Sequence, residues 1–370
     1  MKRLECLDGL RGVLAVYVML GHMAPFAALP PWFVGPLSHG GAAVDVFFIL
    51  SGMVISRSLE SCGFQARPFL IARTARILPV FLAMFAVSIV LQPLPARFEA
   101  MPWIGPGSPA RDIWSQGWPE YWAAGIAAHL TMTHGLFPNA VLPGVWVSFL
   151  GAAWSLSTEW QFYLLALLLG RSRLGTERLA AIFLTLAVAG MIWDQAAPEA
   201  CRFSRAFLPN KAHYFALGIA SAALVDRRSA RSFALVLAAT LLLCGVHGNA
   251  EKMGPPLVWT LCLTAQLYPR RVAAVATVLR WRSVQWLGAV SFPLYLANEP
   301  IQKALGFALA YYAGGDAMLF TLVWVPAALL IPAGAAALLH RYVEVPAHRW
   351  GRALARRGMH YEPKTDGVRT

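Results

Sequence analysis

The chain has 370 residues, of which 58% are hydrophobic and only 13% are charged. Soluble domains carry about 25% charged residues, so this composition excludes an ordinary soluble protein and indicates a polytopic membrane protein. A net charge of +13 would favour nucleic-acid binding in a soluble chain. Here the basic residues are spread over short loops between apolar segments, which excludes a nucleic-acid partner and fits a membrane topology.

Ten apolar segments are predicted to cross a lipid bilayer as helices, which makes the predicted fold class all-α, a polytopic membrane helix bundle. In chain order they cover 10–29, 43–58, 77–95, 146–170, 179–195, 207–225, 232–248, 255–268, 284–312 and 317–340. Segment 255–268 is short of the roughly 20 residues that a crossing needs. Segment 284–312 contains Pro293 and Pro300, which fit a kink, a tilt or an interfacial start.

The distribution of positive charge predicts the orientation of the bundle. With ten crossings and a cytoplasmic N-terminus, most of the 31 Lys and Arg residues fall on the cytoplasmic side. An eleventh crossing at 121–137 would place most of the later positive charge outside. We therefore predict that both termini are cytoplasmic and that 121–137 is a peripheral or re-entrant helix on the outer face. Its histidines, His129 and His134, are interpreted as interfacial residues or as acceptor contacts.

The domain organisation is predicted to be simple. Residues 1–357 form one membrane domain, and residues 358–370 form a polar, disordered tail. The first apolar run lacks a clear small-residue cleavage site and is interpreted as an uncleaved span. The five cysteines are scattered and odd in number, which favours neither a disulfide framework nor a zinc site. No HExxH or Cys/His cluster predicts a metal, and no tightly bound cofactor is expected.

The first predicted span combines a charged start with a single histidine. The stretch LDGLRGVLAVYVMLGHM begins with Asp8 and Arg11 and reaches His22 eleven residues after the arginine. On a helix this separation is about 16 Å, which places the guanidinium at one membrane face and the imidazole near mid-depth. Ionisable groups inside a span are costly to place, so each one is a functional-site hypothesis.

The second span carries a polar pattern of its own. In GAAVDVFFILSGMVIS, Asp45 stands at the outer mouth of the span and Ser51 lies one to two turns deeper. Asp45 is interpreted either as a solvated helix start or as a group that orients a catalytic or substrate group. The Ser51-Gly52 pair is interpreted either as a helix-packing notch or as part of a site.

The stretch FLIARTARILP contains two arginines three residues apart, Arg73 and Arg76, on one helix face. They are interpreted either as positive-inside anchors or as a guanidinium pair that clamps phosphate.

In AWSLSTEWQFYLL, Glu159 stands within an apolar span. A buried carboxylate needs a partner, and the alternatives are a purely structural inter-helix pair or a bond to His22, Arg11 or Arg76.

In this order, LDGLRG with His22, VDVFFILSG, RTARILP and WSLSTEWQFYLL resemble the acyltransferase 3 family of integral membrane O-acyltransferases. The later segments HYFALGIASA, WLGAVSFPLYLANEP and RYVEVPAHRW agree with this resemblance, which therefore covers nearly the whole chain. One departure stands in LYLANEP, where the family usually has a histidine and this chain has Asn298 followed by Glu299. Either residue is expected to substitute as a polar contact.

The resemblance implies transfer of an acyl group, commonly acetyl, from cytoplasmic acyl-CoA to a hydroxyl of a cell-surface or secreted glycan such as exopolysaccharide or O-antigen. It implies an enzyme of the bacterial inner membrane. The implied catalytic residues are His22, Asp45 and Glu159. The expected contacts to acyl-CoA and substrate are Arg11, Ser51, Arg73, Arg76, Trp154, Ser155 and Tyr163.

The chemistry suits these residue types. A neutral imidazole can take the proton of a hydroxyl while a carboxylate fixes its tautomer, and arginines can hold the phosphates of CoA. His22 is expected to act as a general base or as an acyl carrier. The alternative function is a multispan transporter or flippase of glycan or lipid, in which His22 and Glu159 form a proton relay.

Overall fold

The computed structural model describes residues 4–94, 98–108, 110–111, 117–172, 174–226, 229–246 and 250–359. Within these ranges the protein is helical throughout and contains no strand. The α-helices are α1 (Glu5–Met23), α2 (Pro31–Leu37), α3 (Gly40–Ser61), α4 (Ala66–Leu91), α5 (Trp122–Leu130), α6 (Trp154–Gly170), α7 (Thr176–Ala196), α8 (Ala212–Val225), α9 (Ala230–Val246), α10 (Gly254–Leu267), α11 (Ala273–Leu279), α12 (Arg282–Ala313), α13 (Ala317–Leu339) and α14 (Val345–Met359). A π-helical turn, His340–Glu344, joins α13 to α14.

The all-α prediction is confirmed, and a helix overlaps each of the ten segments predicted to cross the membrane. Among the described residues, five segments are long and apolar enough to cross by length and composition. They are Glu5–Phe26, Pro31–Ser61, Ala66–Leu91, Thr176–Ala196 and Ala317–Arg357. The count of ten crossings and the location of the termini stay predictions. The predicted tail starts at 358, but α14 reaches Met359, and residues 360–370 lie outside the described ranges.

The segment 121–137 contains the nine-residue helix α5, which is too short to cross a bilayer. The rings of His129 and His134 stack with their centroids 4.1 Å apart, and both residues are fully buried. His129 Nδ1 donates to the Gly125 carbonyl at 2.8 Å and His134 Nε2 donates to the Ala153 carbonyl at 3.1 Å. Burial lowers the pKa of His129 to about 4 and that of His134 to about 3, so both stay neutral near pH 7. The pair is therefore structural, and neither ring is an interfacial residue or an acceptor contact.

Helix α1 packs mainly against α12, and glycines explain how closely the two helices approach. A Cβ on Gly12 would lie 2.6 Å from the backbone nitrogen of Gly288. A Cβ on Gly288 would collide with the backbone of Asp8, and one on Gly9 would collide with the backbone of Leu279. The glycines of LDGLRG therefore have a packing function, because Gly12 lets the backbone of α12 lie directly against α1 and Gly9 does the same for the end of α11.

A second close crossing joins α3 to α8. A Cβ on Gly52 would collide with the Phe215 carbonyl of α8, and a Cβ on Gly218 would collide with the Ile49 carbonyl of α3. The packing interpretation of the Ser51-Gly52 pair therefore holds for Gly52. Ser51 points instead into the interior cavity described below.

The long helices alternate in direction, which gives the bundle two sides. On the side where α1 begins, called the near side, Gln285 Nε2 of α12 donates to the Glu5 carbonyl at 2.7 Å. On the side where α1 ends, called the far side, Trp324 Nε1 of α13 donates to the Met23 carbonyl at 3.0 Å. The terms near and far are used for these two sides throughout.

Replacing Gly288 tests the close crossing of α1 and α12. We expect Gly288→Ala to lower the free energy of unfolding by about 1–3 kcal/mol, because the added methyl meets backbone that cannot move aside. Gly334 of α13 has no atom within 4 Å of its Cβ position, so Gly334→Ala is expected to be neutral or slightly stabilising. Thermal unfolding of the detergent-solubilised variants measures both effects. Equal melting temperatures for Gly288→Ala and the parent protein would contradict the crossing.

Candidate active site

An interior cavity of about 740 Å³, including its opening, lies between α1, α3, α4, α6 and α12. Seven of the ten residues predicted for the site line it, and they come from four different helices. These seven are Arg11, Ser51, Arg73, Arg76, Ser155, Glu159 and Tyr163. Helix α12 adds two polar lining residues that the sequence reasoning missed, Ser291 and Tyr295. The remaining lining residues are apolar, so the cavity has polar groups at particular points along an apolar wall.

The near end of this cavity is basic. Arg76 acts electrostatically on both Arg11 and Arg73, and all three arginines act on Glu159. The Tyr163 hydroxyl donates to Glu159 Oε2 at 2.9 Å. The partners of this buried carboxylate are thus a tyrosine and the arginines, and no described contact joins it to His22.

The charges on the three arginines are not equally compensated. Asp8 and Glu344 both act electrostatically on Arg11. Glu344 is itself buried and accepts a hydrogen bond from His340 Nδ1 at 2.7 Å within the π-helical turn. Glu159 also acts on Arg73 and Arg76, but Arg11 has Asp8 and Glu344 in addition. The less compensated positive charge therefore lies on Arg73 and Arg76, which suits a bound polyanion.

His22 lies near the far end of α1 and has a defined orientation. Its Nδ1 lies 2.7 Å from Oδ1 of Asn298, which is fully buried on α12. The amide nitrogen of Asn298 donates to the carbonyls of Leu294 at 2.9 Å and Tyr295 at 2.7 Å, so its oxygen must face the imidazole. This hydrogen-bond pattern assigns the proton to Nδ1 and leaves the lone pair of Nε2 free to accept a proton.

The α12 segment LYLANEP connects His22 to the far end of the cavity. The Tyr295 hydroxyl lines the cavity, donates to the Ala152 carbonyl at 2.9 Å and lies 3.0 Å from Ser155 Oγ. Asn298, which holds His22, follows Tyr295 by three residues, or about one helical turn. Glu299 accepts hydrogen bonds from the backbone nitrogens of Gly151 and Ala152 at 3.2 and 3.0 Å. Of the two residues expected to serve as a polar contact, Asn298 holds His22, whereas Glu299 fixes the chain before α6.

Asp45 lies in a second cavity, of about 1410 Å³, on the far side. It is 5% exposed, and its Oδ1 forms an ion pair with Lys211 Nζ at 2.7 Å. The Lys211 ammonium also lies 5.9 Å from the centre of the Trp154 ring. Asp45 is thus not a solvated helix start, and no described contact joins it to His22. Sequence reasoning missed Lys211, whose only signal was a cation just before the HYFALG segment.

Only a thin partition separates the two cavities. Trp154 lines the far cavity and the next residue, Ser155, lines the near one. Val44 and Asp45 are divided between the cavities in the same way. The Phe48 and Trp154 rings meet edge to face between them, with centroids 5.6 Å apart.

An apolar helix bundle with an arginine-lined interior cavity and an oriented histidine defines an integral membrane protein with a candidate active site. The family model described as an acyltransferase domain matches residues 4–341, and the chain belongs to this family, acyltransferase 3. The resemblance inferred from the motifs is thereby confirmed. The protein is a membrane acyltransferase.

The chain is also similar to a curated relative, the acyltransferase MdmB of Streptomyces mycarofaciens. The two are 26% identical over 382 residues, which cover 94% of this chain and 92% of the relative. None of the solved structures matches the chain. The similarity to MdmB supports acyl transfer as the reaction class.

Replacing Asn298 tests the orientation of His22. We expect Asn298→Ala to lower kcat by about 10–100-fold, because the imidazole loses the acceptor that fixes its tautomer. Gln302→Ala is the matched control, since Gln302 is also buried on α12 and donates to the Met19 carbonyl of α1 at 3.2 Å without touching His22. Steady-state kinetics of both variants give the comparison. Equal losses of kcat in the two variants would show that Asn298 has only a packing role.

Proposed function

We propose that the protein transfers an acyl group, in particular acetyl, from acyl-CoA to a hydroxyl of a cell-surface or secreted glycan. The observation that carries this proposal is the near cavity, which has arginines at one end and leads towards an oriented histidine at the other. A donor that is polyanionic at one end and carries a thioester at the other matches that arrangement. Membership of the acyltransferase 3 family supports the reaction class.

The donor is expected to lie along the cavity with its phosphates at Arg73 and Arg76. Guanidinium groups bind phosphate oxygens in pairs, and these two arginines carry the least compensated charge of the site. The apolar wall suits the pantetheine arm. The thioester would then lie towards Ser155 and Tyr295, the polar groups at the far end.

The proposed chemistry uses the free Nε2 of His22. As Nε2 takes the proton of the acceptor hydroxyl, the oxygen attacks the thioester carbonyl, and a C–O bond forms while the C–S bond breaks. The imidazolium returns the proton to the departing CoA thiolate, and Asn298 holds Nδ1–H throughout. In a two-step route the same Nε2 would carry the acyl group.

The far cavity is the proposed site of the acceptor. Its lining combines aromatic rings, among them Trp154 and Phe203, with charged groups such as Asp45 and Lys211 that already pair with each other. Rings and internally compensated polar groups suit a neutral, hydroxyl-rich molecule such as a glycan. The proposal includes ten crossings with both termini in the cytoplasm of a bacterium, so that the near side faces the compartment that holds acyl-CoA.

Labelled acetyl-CoA tests the proposal with purified protein in a bilayer. The parent protein should release free CoA thiol when a glycan acceptor is present and should move the label to that glycan. His22→Ala should reduce this turnover by about 10²–10⁴-fold, the usual contribution of a general base. Val13→Ala, at a 43%-exposed position of the same helix, should leave turnover unchanged.

Two outcomes would contradict the proposal. Full activity of a folded His22→Ala variant would remove His22 from the chemistry. Uptake of glycan or lipid without CoA turnover would support the transporter alternative. That alternative needs a relay between His22 and Glu159, whereas Glu159 is bonded to Tyr163 and surrounded by arginines.

A further inference from the structure

The C-terminal helix α14 lies beyond the family match, which ends at residue 341. It packs closely on α4, the helix that carries Arg73 and Arg76. A Cβ on Gly351 would collide with the Cβ of Ala75 and would lie 3.4 Å from the Ile71 carbonyl. The two helices therefore cross in direct contact at Ala75, next to Arg76 on α4.

Two side chains of α14, His348 and Arg352, lie close to the arginine pair of α4. His348 and Arg352 are four residues apart and so lie on the same side of the helix. The charges of Arg73, Arg76 and Arg352 all act on the His348 imidazole. His348 is half-buried and Arg352 is exposed, so a ligand from solvent can reach both side chains.

The arginines of this cluster have little counter-charge, because Glu159, the carboxylate that acts on Arg73 and Arg76, also acts on Arg11 and accepts a hydrogen bond from Tyr163. Within the described ranges, no carboxylate forms an ion pair with Arg73, Arg76 or Arg352. The arginine charges that the helix crossing brings together repel one another, so the cluster is stabilised when an anion binds between them. A phosphate group can accept hydrogen bonds from several guanidinium groups at once.

We propose that His348 and Arg352 of α14, together with Arg73 and Arg76 of α4, form one site for the phosphate groups of the donor. The inference rests on the proposed acyl-CoA donor and assigns part of its recognition to a helix outside the family match. Anionic lipid headgroups present the same chemistry. The position of Arg73 and Arg76 on the wall of the cavity favours the donor as the source of phosphate.

Donors with and without phosphates test the site. Acetyl-CoA carries the phosphates, and acetyl-pantetheine carries the same thioester without them. We expect Arg352→Gln and His348→Gln each to raise KM for acetyl-CoA, by about 10-fold for the arginine, with kcat unchanged. KM for acetyl-pantetheine should not change. Arg352→Lys, which keeps the charge, should recover part of the affinity.

Arg357→Gln is the matched control. Arg357 is also exposed on α14, but it lies about 140° around the helix from Arg352 and faces away from the cluster. It should leave both KM values unchanged. Thermal unfolding of the exposed-arginine variants should match the parent protein, which separates a binding effect from a folding effect.

The outcomes separate the two proposals. If the parent protein turns over neither donor, the proposed function fails. If it uses acetyl-CoA but Arg352→Gln changes KM for both donors equally, or for neither, the phosphate site alone is overturned. The same assays, run in neutral bilayers and in bilayers with anionic lipid, distinguish donor phosphate from lipid phosphate as the ligand of the cluster. An effect of Arg352→Gln that appears only with anionic lipid and is equal for both donors would assign the cluster to lipid phosphate and overturn the proposal.

Discussion

The site depends on the close contact between α1 and α12. At the near end the two backbones meet because Gly12 and Gly288 carry no side chains, and at the far end His22 bonds to Asn298, 276 residues along the chain. In an apolar interior an unpaired imidazole or amide would be costly, so this hydrogen bond stabilises the same approach that the glycines permit. One helix contact thus sets both the depth of His22 and its tautomer.

The charged groups along α1 and the two cavities differ between the near side and the far side. Arginines with few counter-ions occupy the near end, a polar but uncharged group of hydroxyls and an amide follows, and the far side holds the closed Asp45–Lys211 ion pair. Such an arrangement attracts an anionic ligand to one side only. The Phe48–Trp154 partition keeps the two sides apart at the depth where an acyl group would be transferred.

The sequence predicted the helices and most of the cavity lining, because ionisable residues in apolar spans are rare and costly. Arg11, Arg73, Arg76 and Glu159 were found for that reason, and they do share one cavity. Their partners were harder to predict. Residue spacing defines a face of one helix, but it does not say which helices meet, so neither the Asn298 bond to His22 nor the Lys211 bond to Asp45 could be derived.

Because the sequence does not show which helices meet, the structure also differs from the sequence-based interpretation at two other places. His129 and His134 looked like surface residues of an amphipathic segment, but five residues of separation and a short helix bring their rings together in the interior. The arginines of α14 entered the sequence-based prediction only as part of the overall positive charge, and His348 had no predicted role. Only the crossing at Gly351 shows that His348 and Arg352 lie close to the arginine pair of α4.

The most direct test of the donor site is a cryo-EM map of the protein in a bilayer with a non-hydrolysable acetyl-CoA analogue. The structure predicts that the analogue occupies the near cavity, with its phosphates at Arg73 and Arg76 and its acetyl end beside Tyr295, facing His22. An analogue bound in the far cavity with Asp45, or bound with its phosphates away from the arginines, would contradict this assignment.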